Sequence, residues 1–375
     1  MFFLIPFLFD YALGGIYFIV AYRLAAEGYP AFLTGAPMIV WGLAYAVTSI
    51  VAGRITTRSN SRFLLKLSGW GTAVTALCFI LFDKVLMQLM WVAVMGGVSA
   101  FYCTPFQVFA GSVLNGSGRA DRAASLYTFS WSIGTAAGCL GFGTLPEKCA
   151  YTVNFFIGIA IVILAATASE STAEHSGESF EQGSTGDQMR SAWIFCGTAA
   201  FAMLMLNALL PLRGVELHIG QFYAGATLAL LRLAQAVIAL ALCNARRLMH
   251  GGKMLAFASI LGTSSMIFWA FGKSLFSYMA GAFLFGICAG IIYFSLVYYA
   301  LAIPRKSAQY VSVNEVLLGL AGIIGPALGG TAAQTLGAVK VFGISAVVLA
   351  SAGIISRIVL VRELKRQASL EPEKF

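Results

Sequence analysis

Twelve apolar stretches, each about 20 residues long, follow one another along the chain, and a fold in water has no interior large enough to hide them all. They fall at 3–24, 31–52, 64–82, 85–110, 125–145, 150–168, 191–211, 221–243, 254–271, 275–302, 309–332 and 339–360. At a helical rise of about 1.5 Å per residue, each can cross the hydrocarbon core of a bilayer. Only 10% of the 375 residues are charged, against about a quarter in a water-soluble domain. The expectation is an all-α integral membrane fold. Pro37, Pro105 and Pro326 fall inside spans, where neighbouring helices can satisfy the freed backbone groups.

The net charge of +9 does not form a basic face for nucleic acid, because Lys and Arg sit in short connections between apolar runs. With the N-terminus inside, 17 of the 24 Lys and Arg residues fall on inner connections or the tail. Six, namely Arg23, Lys84, Lys148, Arg213, Lys273 and Lys340, fall on outer ones, and Arg232 lies within a span. The positive-inside bias places both termini in the cytoplasm, which fits the plasma (inner) membrane of a bacterium. The first run has no basic flank before it and carries Asp10, so it reads as a retained first span rather than a cleavable signal.

Seven scattered cysteines form no CxxC pair and have no histidine near enough to complete a metal set, so they read as reduced structural thiols. No metal or cofactor is expected. The chain also has no Gly-x-x-x-x-Gly-Lys-Ser/Thr phosphate loop and no His-Glu-x-x-His motif. Direct ATP use and membrane-embedded hydrolysis are therefore not expected, and the chain does not read as an enzyme.

One long polar stretch, 169–190, carries Glu170, Glu174, Glu178, Glu181 and Asp187 and reads as a flexible cytoplasmic linker. It separates a first six-span bundle, 1–168, from a second, 191–360, with a cytoplasmic tail at 361–375. The halves also echo each other. At an offset of 190, Arg23 meets Arg213 and Gly35-Ala36 meets Gly225-Ala226; at 187, Ser125 meets Ser312 and Gly138 meets Gly325. Duplicated halves are a feature of secondary transporters, whose site lies near the midplane where the units meet.

The six-plus-six layout resembles the major facilitator superfamily of transporters over nearly the whole chain. That family carries a Gly-x-x-x-Asp-Arg-x-Gly-Arg-Arg type of loop after the second helix. Here the stretch is GRITTRSNSR, in which Gly53, Arg58 and Arg62 match while Thr57 replaces the Asp and Asn60 replaces the Gly. The resemblance gives these residues a gating-loop role. It extends to glycine-patterned helices five and eleven, with Gly138 in the first and Gly322, Gly325, Pro326 and Gly329 in the second as close-packing positions. It implies two pseudo-symmetric bundles of six helices, with helices one, four, seven and ten lining a cavity. Helix four lacks the arginine that many proton-coupled members carry there.

Ionisable groups deep in a span are costly and usually face a cavity or each other, and three qualify: Asp10, Arg232 and Glu315. Asp10 is either a protonation switch or one half of a static pair. Arg232 is either an anchor for an anionic solute or a permanent partner of Glu315 or Asp10. Glu315 is either a coupling carboxylate or part of a gating pair. Tyr102, Gln107, Asn207, Tyr293 and Tyr298, joined by Trp131, suggest a partly aromatic cavity for an amphipathic organic solute.

The reading is a monomeric secondary transporter that moves a small organic solute by alternating access, surrounded by membrane lipid, proton-linked, with export favoured over uptake. Its alternatives are an uptake carrier or uniporter for an anionic or amphipathic metabolite, and a transporter-like receptor or assembly factor that translocates nothing.

Overall fold

The computed structural model describes residues 3–57, 59–114, 120–167, 185–244, 248, 252–301 and 307–370. Among these lie twelve long helices: α1 (Leu4–Ala26), α2 (Ala31–Ile55), α3 (Ser61–Leu81), α4 (Val85–Leu114), α5 (Ala120–Thr144) and α6 (Glu147–Thr167), then α7 (Thr185–Glu216), α8 (Gln221–Ala241), α9 (Lys253–Phe271), α10 (Leu275–Leu301), α11 (Ser307–Leu336) and α12 (Ala338–Leu370). No strand occurs among the described residues. Each expected apolar run has its helix. The regular structure reaches further than the apolar pattern at two places. α7 begins at Thr185, inside the stretch read as linker, and α12 continues to Leu370, past the last apolar run. Polar residues propagate a helix that packing has already nucleated, which hydropathy alone does not register. Residues 168–184 lie outside the described part of the chain.

Eleven of the helices are long and apolar enough to cross a membrane, and α5 is the exception. Its serines and threonines at 125, 128, 130, 132 and 135 are each buried. α5 is enclosed by protein on two sides, by α1 of its own half and α8 of the other, so its surroundings do not require hydrocarbon-like side chains. The outer helices show the opposite pattern. On α3, Phe63, Leu67, Trp70, Val74, Leu77 and Leu81 recur every three or four residues and are all exposed, and α12 exposes Ile344, Val347, Val348, Ile354, Ile355 and Ile358. An apolar stripe on the outside of a helix is stable where the solvent is lipid.

The helices form two bundles of six with the same internal plan. α1 packs on α5, α2 on α4, and α3 on both α4 and α6; likewise α7 packs on α11, α8 on α10, and α9 on both α10 and α12. The bundles meet along two related seams, α5 against α8 and α2 against α11, with α1 touching α7 between them.

The repeat is visible bond by bond where α1 and α7 end. Glu27 N donates to Arg23 O, Gly28 N to Ala25 O and Tyr29 N to Leu24 O; Leu217 N, His218 N and Ile219 N make the same three bonds to Arg213 O, Val215 O and Gly214 O. The side chain of Arg23 then reaches the carbonyl of Asp83 at 3.1 Å, and that of Arg213 reaches the carbonyl of Gly272 at 3.4 Å. Each arginine thus ties the end of its helix to the third connection of its own half. Arg23 is further held by Glu147 at 2.7 Å, which also accepts from Tyr151.

These helix ends need a left-handed residue, and the halves differ there: Gly28 has φ 77° while its counterpart His218 has φ 56°. A side chain in that region costs about 1–2 kcal/mol, part of which glycine returns through its freer unfolded chain. His218→Gly is therefore expected to stabilise the protein by about 0.5–1 kcal/mol and Gly28→Ala to destabilise it by about 1–2 kcal/mol, read as opposite changes in thermal unfolding.

Candidate functional site

The two seams are built from different chemistry. Along α5 and α8, side chains cross from bundle to bundle at three levels. Ser125 Oγ donates to Ala239 O at 2.8 Å, Gln235 Nε2 to Ser132 Oγ at 2.7 Å, and Gln221 Nε2 to Phe142 O at 2.8 Å. The α2 and α11 seam is close backbone packing instead. A Cβ on Gly35 would stand 3.0 Å from the Pro326 carbonyl oxygen, and one on Gly42 would stand 3.3 Å from the carbonyl carbon of Gly322.

Arg232 projects from α8 at the middle level of the hydrogen-bonded seam and is only 8% exposed. Its Nη1 donates to Gln235 Oε1 at 3.1 Å and lies 3.7 Å from the Met203 sulfur. Gln235 in turn is fixed by Ser132, which donates to the Thr128 carbonyl of its own helix at 2.5 Å. The guanidinium sits 5.9 Å from the centre of the Trp131 ring, within cation–π range. Trp131 is met edge-on by Tyr293, with ring centres 4.9 Å apart. The buried cation is therefore cradled by neutral groups from α5, α7, α8 and α10. No carboxylate forms an ion pair with it among the described residues.

Arg232 also borders a cavity of about 20 Å³, lined with it by Gly14, Tyr17 and Phe18 of α1, Thr135 and Cys139 of α5, Asn207 of α7, and Leu228 of α8. That volume holds one or two water molecules, so this cavity admits no organic solute. Asp10 lies on α1 about two turns before Tyr17. It interacts electrostatically with Arg232, Tyr17 and Tyr102 without bonding to any of them.

The residues singled out from sequence are distributed around this centre rather than gathered in it. Arg232 and Asn207 line the cavity, and Trp131 and Tyr293 form the aromatic wall behind the guanidinium. Tyr102 is stacked on Phe9 at 4.0 Å inside the first bundle, and Tyr298 packs in parallel with Phe294 at 5.8 Å. Arg58 and the side chains of Gln107 and Glu315 lie outside the described residues. Gly138 is at the α1 crossing, where a Cβ would strike the Tyr11 carbonyl. Gly325 and Gly329 of α11 face Phe201 and Met205 of α7, while Gly322 is nearest to the Trp41 ring of α2.

In the loop after α2, which begins beyond Gly53 and runs to Arg62 of α3, Asn60 closes the turn. Its Oδ1 accepts from Thr57 N at 2.7 Å and its Nδ2 donates to Ile55 O at 2.7 Å. An uncharged side chain thus caps the end of α2.

Three participants escaped the sequence reading. Gln235 and Ser132 are polar but uncharged, so nothing in the sequence marks them as a charge within a span is marked. The spacing of Gln235 from Arg232, three residues along one helix face, was the available signal. Tyr17 carried no signal, because its importance comes from where its hydroxyl ends. That hydroxyl is buried and has no hydrogen-bond partner.

Replacing Arg232 with Met removes a buried cation that has no carboxylate ion pair among the described residues and leaves apolar volume against Met203 and Trp131. The expected result is a gain of about 1–4 kcal/mol in stability, measured as a higher unfolding temperature of the purified protein.

No protein-family model matches the chain, and no curated protein does. Solved structures do match. The human organic anion transporter MFSD10 superposes with a TM-score of 0.69 at 14% identity, covering 96% of this chain and 98% of the other. The nucleoside transporter NupG superposes with a TM-score of 0.68 at 10% identity, covering 97% and 98%. Both coverages are nearly complete, so the likeness extends to both bundles and both seams. The chain is a multi-pass membrane protein with the major facilitator fold.

Proposed function

We propose that this protein is a secondary transporter that carries a small organic anion by alternating access, with Arg232 as the anchor for the anionic group. The observation that carries the reading is the state of that guanidinium. It is buried between the two bundles, its partners are an amide, a thioether and an aromatic face, and Arg232 lines the cavity. A buried cation with no carboxylate bonded to it among the described residues is costly, and an entering carboxylate or sulfonate would offset that cost by bidentate bonding. The neighbours of like fold carry an organic anion and nucleosides according to their names, so the fold alone does not choose between charged and neutral solutes.

In this reading the seam chemistry serves the alternation. The α5 and α8 hydrogen bonds reach backbone carbonyls or a single serine, which rocking can break and remake, and the small residues of α2 and α11 allow backbones to slide. Asp10 is the coupling carboxylate: a proton there changes the electrostatic balance felt by Arg232 and thereby the affinity for the anion. Both termini lie in the cytoplasm, and the aromatic, sparsely charged surroundings favour export.

The test is counterflow of small organic anions in proteoliposomes. Arg232→Ala is expected to weaken anion binding by at least about tenfold, the loss of one charge-assisted pair. Asp10→Asn is expected to retain exchange while flattening the pH dependence of net transport. Anion counterflow unaffected by Arg232→Ala would overturn the anchor. A pH profile unchanged by Asp10→Asn would remove that residue from coupling.

A further inference from the structure

The cavity that Arg232 borders is matched in size to one small particle, and its wall is chemically uneven. A volume of about 20 Å³ takes one or two water molecules and excludes any anion with a carbon body. One side is fixed by Tyr17, whose ring meets Trp41 edge-on with centres 5.6 Å apart and planes at 76°, while the Trp41 Nε1 donates to Ser99 Oγ at 3.0 Å. The electrostatic neighbours of the Tyr17 hydroxyl are Asp10 and Cys103, so it is not counted as a ligand. Phe18 and Leu228 add apolar surface.

Two of the polar lining residues are already engaged. Thr135 commits its hydroxyl to the Trp131 carbonyl at 3.0 Å, and the Cys139 thiol lies 3.6 Å from the Gly14 carbonyl. Arg232 and Asn207 are not engaged in this way. The guanidinium reaches Gln235 and Met203 through Nη1 alone, so among the described residues Nη2 and Nε have no hydrogen-bond partner, and neither has the Asn207 amide.

We propose that this cavity is a binding site for one monatomic anion, chloride, held by Arg232 and Asn207 of the second bundle against a wall supplied by the first.

Charge selects the sign of the occupant. A water molecule can accept from the same donors but leaves the buried cation uncompensated, whereas a chloride ion accepts from them and offsets the charge. Asp10 acts on the guanidinium only across a distance, and no carboxylate forms an ion pair with it among the described residues. Size then selects the ion. Chloride is little larger than water and is easily stripped of its hydration, while sulfate and phosphate carry five heavy atoms in a rigid tetrahedron. Because the lining comes from α1 and α5 of one bundle and α7 and α8 of the other, an ion seated there also stabilises their packed arrangement. The site holds whether or not Arg232 anchors an organic solute at another stage of the cycle.

The experiment follows the unfolding temperature of the purified full-length protein as sodium chloride replaces sodium sulfate at constant ionic strength, because an ion bound only to the folded state raises it. The wild type is expected to rise along a curve that levels off, and sodium bromide is expected to reproduce it. Arg232→Met is expected to abolish the curve, whatever its own unfolding temperature. Asn207→Leu is expected to need at least about tenfold more chloride for half the effect, the loss of one hydrogen bond to a charged partner.

A wild-type protein that shows no saturating response to chloride overturns the proposal, as does a half-point left unmoved by either substitution. If Arg232→Met does not yield folded protein, Asn207→Leu carries the test alone. Organic-anion counterflow that survives Arg232→Ala overturns the anchoring role and leaves the chloride curve to be judged on its own, which keeps the two failures apart.

Discussion

A hydrocarbon surrounding offers no hydrogen bonds, so a polar group within the spans can gain a partner only from the protein itself. Several described serine and threonine hydroxyls do so on their own helix. Thr72 bonds to Ser68 O, Ser99 to Met95 O, Thr227 to Tyr223 O and Ser295 to Ile291 O, each four residues back. Groups too long or too charged for that solution are drawn to the junction of the bundles, where other helices can meet them. The same sorting leaves exposed stripes of Leu, Ile, Val and Phe on α3 and α12 and gathers serine, threonine and glycine on α5.

The pseudo-two-fold plan gives two seams of the same geometry, and the sequence has made them unlike. Ser125, Ser132, Gln221 and Gln235 hold α5 to α8 by directional bonds, whereas Gly35, Gly42 and Pro326 let α2 and α11 approach by shape. Directional bonds fix a register and are lost abruptly when helices shift; backbone packing tolerates gradual sliding. The buried cation is on the directional side, and its neutral partner Gln235 is also a latch between bundles. Any anion that competes for the Arg232 guanidinium therefore acts on a residue that helps hold the halves together, a physical route from ligand to conformation.

Much of the architecture could be read from the chain alone because the bilayer imposes a length and an inward sorting of polar groups that do not depend on tertiary detail. The twelve apolar runs each became a helix, and the spacing of Arg23 from Arg213 marked a repeat that holds for three successive backbone bonds at each helix end. The site was legible only in part. Arg232 stood out because a charge in a span is rare, but its neighbours did not. Gln235 and Ser132 have no charge to mark them, and Tyr102 and Tyr17 look alike in sequence while only the second borders the cavity.

By itself, then, the sequence determined that the chain crosses a membrane as paired six-helix halves, since hydropathy and length suffice for that. Which side chain meets Arg232 was decided only by tertiary structure. Partner choice depends on how helices five, seven, eight and ten rotate about their axes and at what height they cross, and a difference of about 100° per residue along a helix moves a side chain from lipid to cavity. The pattern of apolar residues fixes that rotation coarsely, but the hydrogen bond between Gln235 and Ser132 and the seating of Tyr17 against Trp41 require every neighbour to be in place.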